Sequence, residues 1–469
     1  MKNTILIEIW RALEASEHKK LIKFLDCDLN NQRQDVRALA RLLAETPLDT
    51  LELMPKEAVF AHIFPGEPFH NLQLNYTCSF LVQRIEAYLA WDELAQQTTW
   101  RDYLLCQALR RRGVDDLYQR KTEKAIQQLN KQPQRNSRYY LFRYLLEREQ
   151  YEHRVLHNRE APTDLNLVTE PLQQFFALEN LRWAGTALSI QARYGIRNEW
   201  AFYQPVLSFS ASADRATNPE IVLMHLGYET LRDVENEQNF ESLKQLIISN
   251  NHLFSTSEKK DIYLLAINFC LRRHNRGERP RYTREALELY REALKQDLFI
   301  ENNYLQKYTY NNIVRLACLA GEWDWAKMFL EQYRWKLAEE TRENIYRFNL
   351  ASWHYLSGNY SQVPGLLQTF EFTDRDTQIN ARHMLLRSFF ELREWQALDS
   401  LLRSFYSFLR RRTDIGYQRL SYLNLIKYTR KLMSGTPNNR KAALLRNRIE
   451  KEQYVAEKEW LLEKLGAQR

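Results

Sequence analysis

The chain has 469 residues, a formal net charge of +8, 12 glycines, 12 prolines and 27% charged residues. So little glycine excludes Gly-rich phosphate loops and argues against sandwiches and barrels, whose turns need residues that tolerate positive φ. The 44% apolar content excludes a disordered polyelectrolyte, and no apolar run reaches the length that spans a bilayer.

Residues 1–133 read as a helical N-terminal region. IWRALEASEHKKLIKFLD and DVRALARLLAE carry helical apolar spacing, with Ser16 and Asn31 as candidate caps or stops. FPGEP at 64–68 breaks the pattern; 72–91 is then a strongly apolar helix, and 99–130 holds one or two more. KEAVFAHIF followed by this apolar helix has the outline of a helix-turn-helix. However, residues 71–92 carry one base, Arg84, against Glu86 and Asp92, so the segment reads as a structural cap and not a DNA reader. QPQRNS at 132–137 marks a boundary, and NREAPTDLN (158–166) and SASADRATNPE (210–220) read as loops.

From about 138 onward the pattern is helix, turn, helix, within a region 134–469. It is clearest over 260–405, where AGEWDWAKMFLEQY (320–333), SGNYSQVPGLLQTF (357–370) and LREWQALDSLLRSF (392–405) repeat one another. Aligned on Trp323, Tyr360 and Trp395, they lie 37 and 35 residues apart. Three residues on come Ala326, Val363 and Leu398; four further come Leu330, Leu367 and Leu402. This spacing puts both positions on one helix face, which must pack on the preceding helix and on the next copy. A fourth copy is expected at 284–294, with Ala286, Tyr290 and Ala293, after a first helix DIYLLAINFCLRRH and a longer loop. The repeated aromatics read as packing at each corner, because a lone hairpin cannot bury its apolar face and stacked neighbours can.

These residues resemble the tetratricopeptide repeat (TPR), a helical hairpin of about 34 residues. Gly321 and Gly358 match its turn glycine, Trp323, Tyr360 and Trp395 its aromatic, Ala326 the small residue of its second helix and Ala351 that of its first. Val363, Leu398 and Arg393 depart from the pattern. The layout KKLIKFLDCDLNNQRQDVRALARLL, KEAVFAHIFPGEPF, a long apolar helix, repeats and a terminal EKEWLLEKL is also similar to uncharacterised helical proteins of the Bacteroidota. The expectation is an all-α protein: a TPR-like α-solenoid, wound as a right-handed superhelix, behind a non-repeat helical N-terminal region.

The sequence contains no HExxH, GxSxG, dinucleotide or phosphate-loop motif and no zinc-type Cys/His spacing. His153 and His157, at i, i+4 beside Glu152, are the best metal candidate. With no acid or cysteine locally placed as a third ligand, they read as two surface histidines. Asp115 and Asp116, beside RRRG, read as a loop or helix start. Cys27, Cys78, Cys106, Cys270 and Cys318 are dispersed, pointing to reduced thiols in a cytosolic protein. The opening MKNTILIEIWRALEASEHKK is too brief and too charged for a secretory segment. No enzyme, metal or cofactor is expected.

Two surfaces remain as partner sites. The TPR resemblance implies that first helices line a concave face, with Asn311, Arg315, Ser352, Tyr355, His383 and Arg387 turned inward; Arg315 and Arg387, one repeat pair apart, would grip an acidic or C-terminal carboxylate peptide. The second is electrostatic. From 401 to 469 there are 16 lysines and arginines against 6 acids, whereas the other 400 residues hold 51 against 53. Within 403–448, Arg410, Arg411, Arg412, Arg430, Lys431, Arg440, Lys441, Arg446 and Arg448 are interleaved with Phe405, Tyr406, Phe408, Tyr417, Tyr422 and Tyr428. Clustered cations attract phosphates, and exposed aromatics stack on single-strand bases. A solvated cationic face over buried aromatics gives the same pattern, and an acidic protein partner fits the same cations. The expected function is a non-enzymatic scaffold for a protein or peptide, with nucleic-acid association through 403–448 as the alternative.

Overall fold

The structure, a computed structural model, describes residues 4–158, 162–198, 201–214, 217–368, 374–411, 417–434 and 439–466. Among these the chain is all-α: 24 α-helices and a single two-stranded ribbon pairing Ile300–Glu301 with Tyr304–Leu305. None of the helices is long and apolar enough to cross a membrane. The chain divides into two compact units, one of residues 1–132 and 142–169, the other of 133–141 and 170–469.

The first unit contains α1 (Ile5–Ala12), α2 (Ala15–Asp26), α3 (Gln34–Glu45), α4 (Leu48–Leu53), α5 (Lys56–Ile63), α6 (Asn71–Gln96), α7 (Thr98–Arg111), α8 (Asp115–Lys131) and most of α9 (Ser137–His157). The spine is α6, which buries Leu74, Thr77, Leu81, Ile85 and Tyr88, a 3–4–4–3 spacing that keeps one face inward. Trp10, Leu21, Leu39 and Phe60 join the same core. Each such side chain stabilises the fold by about 1.5–3 kcal/mol when fully buried. The break expected at Ser16 falls slightly earlier: Leu13 is extended, and Glu14 restarts the chain through a capping box with Glu17. Ser16 therefore lies inside α2. Asn31 is buried between α2 and α3, donating to the Arg33 carbonyl at 3.0 Å and accepting from the Arg33 amide at 3.2 Å.

The second unit holds α10 (Asn166–Tyr194, from residue 170), α11 (Tyr203–Ala211), α12 (Pro219–Arg232), α13 (Glu237–Asn250), α14 (Thr256–Asn275), α15 (Arg279–Lys295), α16 (Lys307–Leu319), α17 (Trp323–Tyr333), α18 (Glu339–Leu356), α19 (Val363–Leu367), α20 (Arg375–Glu391), α21 (Trp395–Arg410), α22 (Tyr417–Met433), α23 (Asn439–Lys451) and α24 (Lys458–Gly466). Four successive pairs, α14/α15, α16/α17, α18/α19 and α20/α21, fold back on themselves, and α16 packs on α18 as α18 does on α20.

One turn closes all four pairs. Gly277, Gly321, Gly358 and Arg393 sit at φ +111°, +81°, +82° and +59°. In each, the next residue's N–H reaches back five residues: Glu278 to Arg273, Glu322 to Ala317, Asn359 to His354 and Glu394 to Phe389, at 2.8–3.3 Å. This is the Schellman closure, which satisfies the orphan carbonyls at the end of a helix. Arg393 adopts it without being glycine. The repeat positions of the second helices are buried: Ala286, Ala326, Leu330, Val363, Leu398 and Leu402 are fully inaccessible, and Leu367 is nearly so.

Two expectations are corrected. No long loop precedes 284–294: α14 ends at Asn275 and α15 begins at Arg279, with Pro280 in its first turn, where a missing N–H costs nothing. The corner aromatics are not core residues. Trp395 is 44% exposed, with its edge against Phe390, and Trp323 and Tyr360 are half-buried.

Candidate functional site

The six residues expected on the first-helix face fall on α16, α18 and α20, and the structure joins three of them. Tyr355, on α18, is buried, with its hydroxyl 3.4 Å from His383 Nε2 on α20. One turn on, the Arg387 guanidinium lies 5.6 Å from the ring centres of Tyr355, Tyr360 and Trp460. Both basic groups meet a carboxylate from their own unit: Glu457 lies 2.9 Å from His383 Nε2 and accepts from Arg387 Nη1 at 2.6 Å. Burial alone would raise the Glu457 carboxyl, but the His383 hydrogen bond and the charges of His383 and Arg387 outweigh it and hold it at about 2. For Arg387, burial is likewise outweighed by Tyr355 and Glu457, and its pKa rises.

The contact belongs to a larger dock. Glu457 precedes α24 at φ +54°, a left-handed conformation costly for a residue with a Cβ. Trp460, on α24, donates to Glu391 at 2.6 Å and meets Phe390 edge-on, while Lys464 reaches the other Glu391 oxygen at 2.8 Å. The carboxylate grip expected of Arg387 is thus filled by the chain's own α24 segment. The remaining three residues are not joined to it by hydrogen bonds or ion pairs: Asn311 accepts from Asn349 Nδ2 at 2.6 Å, Ser352 is half-buried, and Arg315 is exposed.

A groove lies elsewhere in this unit, between α13 and α15. It has a volume of about 280 Å³, with Ile247, Ile248, Tyr263 and Leu289 on its apolar surface. Its rims alternate in charge: Lys244 pairs with Glu285 at 2.6 Å, Lys295 with Glu292 at 3.2 Å, and Arg291 with Glu322. Ile248 is 78% exposed, so the groove presents an uncovered aliphatic side chain. Sequence reading missed it because the two walls come from different hairpins.

The basic segment divides. Arg410, Arg411, Arg430, Arg446 and Arg448 are exposed and Lys431 half-buried; among the described residues none forms an ion pair. Burial, Arg448 and Lys427 all lower the Lys431 pKa, so these cations share one positive field. Tyr406, 38% exposed, lies between the Arg410 and Arg430 guanidinium groups at 5.9 and 5.7 Å. Phe405 and Tyr428 are buried, and the Tyr428 hydroxyl donates to Glu452. Arg412 lies outside the described residues, and Arg440 and Lys441 are described only as part of the α23 backbone.

The His153 reading is also corrected. His153 is buried, and Asp115, the first residue of α8, meets both histidines. Comparison with known families, curated proteins and solved structures finds no match to this chain.

Proposed function

We propose that the chain is a non-enzymatic, cytosolic scaffold whose second unit is a TPR-like α-solenoid that binds a protein or peptide partner. The α13–α15 groove carries this reading: it is preformed and apolar-floored, with charged rims that can orient a ligand. Its occupant is a short peptide segment presenting one or two apolar side chains. Support for the solenoid comes from the four hairpins closed by one turn geometry and from the first helices α16, α18 and α20, each packed on the next. The test is a pull-down from native lysate with wild type and Ile248→Glu, each split into nuclease-treated and untreated halves. A discrete protein retained by wild type in both halves and lost by the variant supports the groove; equal retention by the variant removes it.

A second reading, association with nucleic acid through 403–448, is favoured by one observation: exposed cations without ion pairs flank an exposed tyrosine. Phosphate-driven binding weakens steeply with salt, whereas apolar groove binding does not. Captured material that vanishes with nuclease moves the assignment to this segment.

A further inference from the structure

The first unit contains a constellation that the scaffold reading does not use. His153 and His157 stand one turn apart on α9, with ring centres 4.4 Å apart. Asp115 comes from the start of α8, and its Oδ1 lies 2.9 Å from His153 Nε2 and 3.2 Å from His157 Nε2. All three ligand atoms are within 4.8 Å of one another.

We propose that Asp115, His153 and His157 form a mononuclear site for a divalent transition-metal ion of the zinc class, with water in the remaining position. The donor set is two imidazoles and one carboxylate, which suits zinc and its neighbours and not calcium or magnesium. In a tetrahedral zinc site, ligand atoms about 2.0–2.1 Å from the metal lie about 3.3 Å apart. The two separations from Asp115 Oδ1 are of that size, and the two imidazole ligand atoms lie within 4.8 Å of each other.

The surrounding residues fix those positions. The α7–α8 turn places Asp115 through Gly113 at φ +67° and a Val114 amide that bonds to the Leu109 carbonyl. One turn into α8, Tyr118 stacks on the His153 ring at 4.3 Å and donates its hydroxyl to the Glu149 carbonyl at 3.0 Å, tying α8 to α9. Arg110, on α7, pairs with Glu149 and Glu152, which neutralises its charge near the site. Exposure is graded across the ligands: the His153 side chain is 11% accessible, Asp115 40% and His157 54%. The inner imidazole is therefore held by packing, while the outer two ligands leave a face for entry and for bound water. In the metal-free chain the same atoms form a hydrogen-bonded cluster. On metal binding each Nε2 supplies its lone pair and the imidazole proton resides on Nδ1, so no co-reactant is required.

The experiment uses the full, tag-free chain, stripped with chelator and titrated with zinc chloride by calorimetry, alongside Asp115→Asn and His157→Ala. Asparagine keeps an acceptor oxygen but loses the anionic ligand, and His157 is half-exposed, so both variants should keep their metal-free melting temperature. The expected result is one zinc per wild-type chain, with affinity falling at least about tenfold in each variant. Cobalt gives a second readout: the wild-type chain should develop the visible absorption of a low-coordinate cobalt centre, and Asp115→Asn should not. Absence of saturable binding by wild type, or equal affinity in wild type and both variants, overturns the proposal.

Discussion

Arg387 and Glu457, 70 residues apart, form a half-buried ion pair at 2.6 Å that seats α24 against α20. Removing one partner leaves the other charge partly desolvated, a change that costs more than the pair contributes while intact. Arg387→Ala and Glu457→Ala should each lower stability by about 1–3 kcal/mol, and the double variant by clearly less than the sum. Urea denaturation of the four proteins gives the cycle; strict additivity would mean the pair contributes nothing.

The same carboxylate makes stability depend on acid. Its pKa is depressed from 4.5 to about 2 in the folded chain, so the unfolded chain takes up the proton first as pH falls. The contribution is complete above pH 4.5 and is lost between 4.5 and about 2. Wild type should lose a few kcal/mol more over this window than Glu457→Gln, which cannot titrate there. Parallel unfolding curves for the two proteins over that range would contradict this.

Arg393 holds the left-handed turn that glycine holds in the other three hairpins. Arg393→Gly should raise stability by about 1 kcal/mol, since it removes the Cβ clash of that conformation. Gly321→Ala should lower it by a similar amount, although open space surrounds its Cβ position, because the penalty lies in φ. Thermal melts of both variants check the signs.

The thiols should separate into classes. Cys27 is exposed, whereas burial raises the thiol pKa of Cys106, Cys270 and Cys318, the last to about 12. A thiolate-specific reagent should modify Cys27 rapidly in the native chain and reach those three only on unfolding. Rapid native modification of Cys270 would contradict its placement between α14 and its neighbours.

Local signals were legible in the sequence and distant ones were not. Helix periodicity, the breaker at FPGEP and the buried repeat positions of the second helices follow from neighbours three to five residues apart, and the structure bears them out. The longer loop expected before 284–294 is helix from Arg279, because a proline such as Pro280 is tolerated in a helix's first turn. Asp115 lies 38 and 42 residues from the histidines it meets, and no periodicity links them. The α13–α15 groove and the Glu457 contacts escaped for the same reason: each depends on which helices stack together.

The Arg387–Glu457 contact also orders events during synthesis. Arg387 leaves the ribosome 70 residues before its acid. At about 5–20 residues per second that is roughly 4–14 s in which the α20/α21 hairpin can close through its own Phe389–Glu394 bond while its guanidinium still faces water. During that interval any carboxylate of suitable reach, on a chaperone or on a neighbouring nascent chain, competes for the place that Glu457 later fills.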